Sequence, residues 1–198
     1  MSNNLRMVIV LTVTAMLSGL VLSYAHDMAN TYIQRNEEAK LRLVILDVLP
    51  GAEDYEVLAS KTQPEIPEDD VTLSEAPPTQ QHIPVYRGLD KNGEEVGLAF
   101  IVENPGYGGL IRLIAGIDTR KDTLTQIQIL EHKETPGLGS KIADAPFREQ
   151  FAGKSITDPF VVGQDVDGIS GATVSSKAVA DGLRTTIQEV MKRYGKRG

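Results

Sequence analysis

Met7 to Ala25 (MVIVLTVTAMLSGLVLSYA) is a run of 19 residues without a charge. Nothing else in the chain restricts its architecture so strongly. A segment in hydrocarbon must satisfy its own backbone groups, so a run of this kind is helical. At a rise of about 1.5 Å per residue it reaches roughly 28 Å, close to the hydrocarbon thickness of a bilayer. Arg6 and the amino terminus precede it; His26 and Asp27 follow. The positive-inside rule then predicts a single-pass transmembrane helix with its N-terminus in the cytoplasm and the chain after residue 26 outside. A cleaved signal peptide is the alternative, because Ser23-Tyr24-Ala25 has a small-x-small form behind an n-region at Arg6. The run is longer than a usual signal core, and Ala15 and Gly19 make a small-residue face for helix packing, which favours the anchor. Both readings put the rest of the chain outside the cytoplasm.

Charge narrows the partners. The 198-residue chain carries a net −7. Setting Arg6 aside leaves 19 basic and 27 acidic groups after residue 25. Nucleic acid requires a basic footprint, so it is excluded as a partner. The chain has no cysteine, which removes disulfides, thiolate zinc sites, iron–sulfur clusters and thiol redox chemistry. Its three histidines, His26, His82 and His132, are scattered, so no metal site is expected. Redox activity in such a chain would need a borrowed organic cofactor.

In order, residues 27–49 predict a helix leading away from the membrane, ended by Pro50-Gly51. Glu53 to Thr79 is acidic and proline-rich and predicts an extended, solvated excursion. A sheet follows. Val85–Gly88 leads into Asp90-Lys91-Asn92-Gly93, a hairpin turn. Glu95–Glu103, Leu110–Asp118 and Thr123–Glu131 come next, and their close spacing predicts antiparallel pairing. Ile127 and Ile129 alternate with Gln126 and Gln128, so that strand should wet one face. A short helix is expected at Pro146–Phe151, capped by Asp144 or Ala145, and another strand from Asp158 to Val162. A last helix from about Val174 to Arg193 buries Val179, Leu183, Ile187 and Val190 or Met191. The expected fold is therefore α+β: an N-terminal transmembrane anchor (1–26), an outward helix with the acidic Pro-rich excursion (27–80), and an antiparallel sheet packed against helices (81–198).

Asp167-Gly168-Ile169-Ser170-Gly171-Ala172-Thr173 stands directly before that last helix. A Ser or Thr there commonly does no more than cap the helix. Redundancy argues for more. Ser170, Thr173, Ser175 and Ser176 crowd one helix start, and Gly168 and Gly171 bring backbone close, the makings of an anion nest. Thr135-Pro136-Gly137-Leu138-Gly139 is a second sharp loop, whose simplest role is a strand-to-helix turn. Two apparent motifs fail. Gly137–Lys141 lacks the phosphate-loop pattern, and Gly168–Ala172 ends in alanine where a nucleophile elbow has glycine. His132 and Glu134 are too few to hold a metal.

Asp-x-x-Ser-Gly-Ala-Thr, here Asp167, Ser170, Gly171, Ala172 and Thr173, resembles the flavinylation motif of the FMN-binding domain family. In particular the chain is similar to the G subunit of the Rnf ion-translocating electron transport complex and to the related C subunit of the sodium-translocating NADH:quinone reductase. The resemblance extends to the anchor, the Tyr107-Gly108-Gly109 turn and the Thr135–Gly139 loop. It implies an FMN phosphate esterified to the Thr173 hydroxyl by a separate flavin transferase, with Asp167 serving recognition by that enzyme. It also implies FMN-binding roles for Ser170, Gly171 and Ala172, and a ring-binding loop at Thr135, Pro136, Gly137, Leu138 and Gly139, with Tyr107 and Glu134 as further candidates. For Tyr107 a packing role at the turn stands equally open. No residue is expected to act as a catalyst. The implied protein is an electron-transfer subunit of a redox-driven ion translocase linking ferredoxin and NAD. It would sit in the inner membrane of a prokaryote with its FMN domain on the outer face, alongside the other subunits of the complex. A stand-alone anchored flavodomain, acting as a sensor or assembly module, is the alternative. A hydrolase using Ser170 lacks any visible base.

Overall fold

The computed structural model describes residues 3–59 and 83–195; within the first helix the side chains of 3–5, 8–10, 25, 27 and 29–39 lie outside the described residues. Most of the acidic Pro-rich stretch, 60–79, lies outside them as well. The chain forms two compact units, Met1–Leu43 and Val44–Gly198.

The first unit is helical. α1 runs from Asn3 to Val48, and its last turn belongs to the second unit. Leu11, Met16, Leu20 and Leu22 are between 66% and 72% exposed, so apolar side chains stand free along this helix. Among the described residues no helix is long and apolar enough to cross a membrane. The expected anchor includes 8–10 and 25, whose side chains are not among them. α1 stops where the sequence requires it. Pro50 disfavours helix at the residue before it, and Gly51 takes φ +97°, a left-handed conformation that closes the helix end.

The second unit is built on one sheet. Its strands are β1 (Asp54–Ala59), β2 (Val85–Leu89), β3 (Glu95–Pro105), β4 (Leu110–Asp118) and β5 (Thr123–Glu131). They pair antiparallel in the order β1-β2-β3-β4-β5. β2 to β5 fall where spacing and alternation placed them. β1 does not: Asp54–Ala59 is an edge strand inside the stretch expected to be an extended excursion. Turn chemistry holds the β2–β3 hairpin. Asp90 Oδ1 accepts from the amides of Asn92 (2.8 Å) and Glu94 (2.9 Å), and Gly93 takes φ +77°.

Register decides what each face carries. Leu98 pairs with Ile117, Phe100 with Ala115 and Val102 with Leu113, all on one face. That face forms the main core with Val179, Leu183, Ile187 and Val190 of the last helix, α3 (Thr173–Tyr194). Each such aliphatic side chain contributes about 1.5–3 kcal/mol on burial. Gly182 lets α3 approach closely, since a Cβ there would lie 2.9 Å from Val102 Cγ1. Asn104 Nδ2 donates to the Ala178 carbonyl at 2.8 Å and fixes the end of β3 against α3.

The opposite face is not left wet. Gly88 and Gly97 pair across β2 and β3, and Gly116 follows on β4. A Cβ on Gly88 would lie 2.6 Å from Leu49 Cδ1, and one on Gly97 3.2 Å from Leu49 Cδ2. The missing side chains form a groove that the Val48-Leu49 end of α1 fills. The Thr125 hydroxyl donates to the Val48 carbonyl. Gln126 (3.1 Å) and Gln128 (2.8 Å) both donate to Asp47 Oδ2. The two glutamines expected to face water thus fasten the end of α1.

After β5 come a short 3-10 turn, Gly139–Ala143, and α2, Ala145–Glu149. α2 is the expected short helix; Asp144 precedes it without capping it through its side chain. The expected strand from Asp158 to Val162 is absent, apart from an isolated bridge between Val162 and Val166. The Asp165 carboxylate takes the amides a strand would have offered, Phe160 N at 3.1 Å and Val161 N at 2.6 Å. Phe160 sits at φ +48°, outside the β region.

Candidate functional site

Three segments meet at one end of the sheet: the β3–β4 turn Gly106–Gly109, the loop Thr135–Gly139, and the start of α3. Thr173 is the first residue of α3 and is exposed. No side chain caps the helix, whose N-cap is Ala172. The first-turn amides carry the positive end of the helix dipole at a point where Thr173 is exposed. Ser170 and Gly171 are at the surface beside it, while Ala172 is buried.

The hydroxyls at this helix start divide into two groups. Ser175 and Ser176 are buried, at 1% and 0% exposure. Ser176 Oγ accepts from Ile169 N at 3.0 Å and donates to the Ala172 carbonyl at 3.1 Å, so it holds the Ile169–Ala172 loop in shape. Ser175 donates to Glu134 Oε2 at 2.6 Å. The expectation of a nest of spare hydroxyls is thus corrected: two of the four are structural, and only Ser170 and Thr173 face out.

Glu134 is 5% exposed. Its Oε1 accepts from Gly108 N at 3.0 Å, and its Oε2 accepts from Ser175. The carboxylate is directed inward between the three segments, away from the surface. Thr135, Pro136, Gly137 and Leu138 are exposed and Gly139 is buried. Gly137 takes φ +74° and donates its amide to Ser140 Oγ at 2.9 Å. Leu138 lies against Gly171, where a Cβ would come within 3.1 Å of Leu138 Cδ1. The two glycine loops are therefore neighbours. Tyr107 is 75% exposed, so little of it packs against the domain.

Asp167 is exposed, but its backbone is held. Gln150 Oε1 accepts from Asp167 N at 2.7 Å, and Gln150 Nε2 donates to Asp167 O at 3.3 Å and to Phe147 O at 2.9 Å. Sequence reasoning did not single out Gln150, and a lone glutamine at the end of a short helix carries no signal of this kind. Among the described residues no group of three or more His, Asp or Glu is placed to hold a metal ion. Two clefts, about 490 Å³ beside Leu49 and Val96 and about 600 Å³ beside Glu189 and Tyr194, involve none of these site residues.

These residues fit a phosphate-bearing cofactor. An uncapped helix N-terminus would stabilise a phosphodiester by about 0.3–1 kcal/mol, and an outward hydroxyl stands at the same point. Thr135–Leu138, exposed as residues, lie beside it.

The family model described as FMN-binding domain matches residues 106–188, which contain all three segments. The G subunit of the ion-translocating oxidoreductase complex of Methanosarcina acetivorans is 33% identical over 191 residues, covering 96% of this chain and 93% of that protein. The G subunit of the Na(+)-translocating ferredoxin:NAD(+) oxidoreductase complex of Acetobacterium woodii is 34% identical, covering 72% and 70%. The crystal structure of Shewanella oneidensis NqrC superposes with a TM-score of 0.60 at 16% identity, covering 80% of this chain and 99% of that one, a likeness of fold. The motif, the surrounding loops and these matches over most of the length agree, and the chain belongs to the family of G subunits of ion-translocating oxidoreductase complexes.

Proposed function

We propose that this chain is the electron-transfer subunit of a membrane-bound ion-translocating oxidoreductase complex of the Rnf type, and that it carries FMN covalently through Thr173. The observation that carries the reading is the exposed Thr173 hydroxyl at the uncapped start of α3, with Ser175 and Ser176 turned inward. A flavin transferase would join the Thr173 oxygen to the FMN phosphorus of FAD. The pyrophosphate bond breaks, AMP leaves, and the hydroxyl proton is released. Thr173 does no redox work; bound FMN would supply electron transfer. The first-turn amides hold the phosphate, Thr135–Leu138 and Tyr107 support the ring, and Asp167, presented by Gln150, is the recognition point for the transferase.

The exposed apolar side chains of α1 support a membrane anchor over Met7–Ala25, and Arg6 ahead of it, by the positive-inside rule, favours the outer face for the sheet domain. A flavin held only by reversible contacts would be lost there by dilution, and a covalent bond prevents that. The other subunits of such a complex are the expected partners, and the ferredoxin and NAD chemistry would belong to them.

The experiment is a denaturing gel read by flavin fluorescence. The chain is produced with an active flavin transferase, as wild type and as Thr173→Ala. The wild type should fluoresce and the variant should be dark. A dark wild type, with FAD and active transferase present, overturns the reading.

A further inference from the structure

We propose that Glu134 is a positioning residue that assembles the flavin attachment surface from inside, rather than a group that touches the cofactor. The inference rests on the reading of Thr173 as the attachment point. Three features carry it. First, Glu134 is more than nine-tenths buried, and both its oxygens are engaged, by Gly108 N and by Ser175 Oγ. The carboxylate is spent on the protein's own donors and is turned away from any ligand at the surface. Second, those two donors belong to different segments, the β3–β4 turn and the first turn of α3, while Glu134 itself opens the Thr135–Gly139 loop. One carboxylate therefore ties together all three parts of the site. Third, the space it fills is space that neighbouring residues lack. A Cβ on Gly139 would lie 2.5 Å from Glu134 Oε2 and 2.8 Å from Ser175 Oγ. Gly106 likewise lies against Glu134 Oε1, and a Cβ there would also come within 2.6 Å of Ile111 Cδ1. The glycines at Gly106 and Gly139 are sites where this carboxylate stands in place of a side chain.

An acceptor so placed is costly to remove, because the buried donors lose their partner. It also fixes the distance between the ring-supporting loop and the Thr173 hydroxyl. Small displacements of a reacting group cost about tenfold to a hundredfold in rate.

The test uses the full-length chain in detergent as substrate for the flavin transferase. Wild type, Glu134→Gln, Ser175→Ala and the double variant are compared. Flavinylation rate per folded molecule, the absorption spectrum of the attached flavin and amide exchange at Gly108 are measured, with Thr173→Ala as the unlabelled control. Each single variant should lower kcat/KM for flavinylation by about tenfold and shift the flavin absorption band. Gly108 exchange should speed up in Glu134→Gln, where a neutral amide oxygen replaces the carboxylate, and stay near the wild-type rate in Ser175→Ala; the double variant should label no more slowly than the worse single one, because the groups act as a unit. Wild-type rates with an unshifted spectrum overturn the inference. So does a loss of labelling that only tracks the unfolded fraction. If Glu134→Gln does not fold, Ser175→Ala decides by the flavinylation rate and the flavin spectrum, since it removes only the bond to α3 and leaves the one to Gly108 in place. An unlabelled wild type would instead strike the attachment reading itself.

Discussion

Ser175 and Ser176 show how a residue's chemistry is assigned by the face on which it falls. In sequence they look equivalent to Thr173, three hydroxyls within four positions. The stripe Val179, Leu183, Ile187 and Val190, carried back one turn, lands on Ser175 and Ser176, and both are buried. That periodicity was readable; the crowding of hydroxyls obscured it. The partner of Ser175 was not readable, because Glu134 lies 41 positions away in sequence. Ser176→Ala should strand the Ile169 amide and cost about 1–2 kcal/mol, measured by urea unfolding of the apo-protein. An unchanged midpoint would mean that water replaces the hydroxyl.

Among the elements, strands with clean alternation and short turns were legible, and those whose fate depends on a distant side chain were not. β3, β4 and β5 announce themselves by pattern. β1 is short and partly exposed, and its pairing with β2 follows from tertiary contact rather than composition. The segment Asp158–Val162 has strand-like residues, yet Asp165 captures its amides. The turns themselves are pH-sensitive. The amides of Glu94 and Asn92 hold the Asp90 carboxyl below the ordinary range. At Asp118 burial pushes upward, but hydrogen bonds from Arg120 and Lys121 outweigh it and the net direction is down. In both cases the unfolded chain takes up a proton first. Their stabilisation is complete above the ordinary carboxylate value and is lost as pH falls through the lower folded value. Asp118→Asn should flatten the acid limb of a urea-unfolding series below about pH 4. Tyr86 moves the other way: burial, then Tyr55, raises its pKa against the pull of Arg112. Its contribution is intact below the ordinary tyrosine value and is lost as pH rises through the higher folded value, so Tyr86→Phe should blunt alkaline unfolding above about pH 10.

For the whole molecule, the α+β class with its antiparallel sheet could be read from the chain, but the second role of α1 could not. Its end looked like a spacer. It fills the groove over Gly88, Gly97 and Gly116, and three small residues on separate strands give no sequence signal until the register aligns them. Leu49→Ala should leave a cavity and cost about 2–5 kcal/mol, read as a lowered thermal midpoint of the apo-protein. A chain beginning at Val44 should keep a cooperative transition. One beginning at Gly51 should expose Ala99, Ile101 and Ile114 and bind a hydrophobic dye. This sets a rule for proteolytic shedding. Cleavage ahead of Val44 would release a working sheet domain, whereas cleavage between Pro50 and Asp54 would separate the domain from a piece of its own interior. The seam between the first unit and the sheet domain is therefore not at the end of the helix, where the chain visibly turns, but within it.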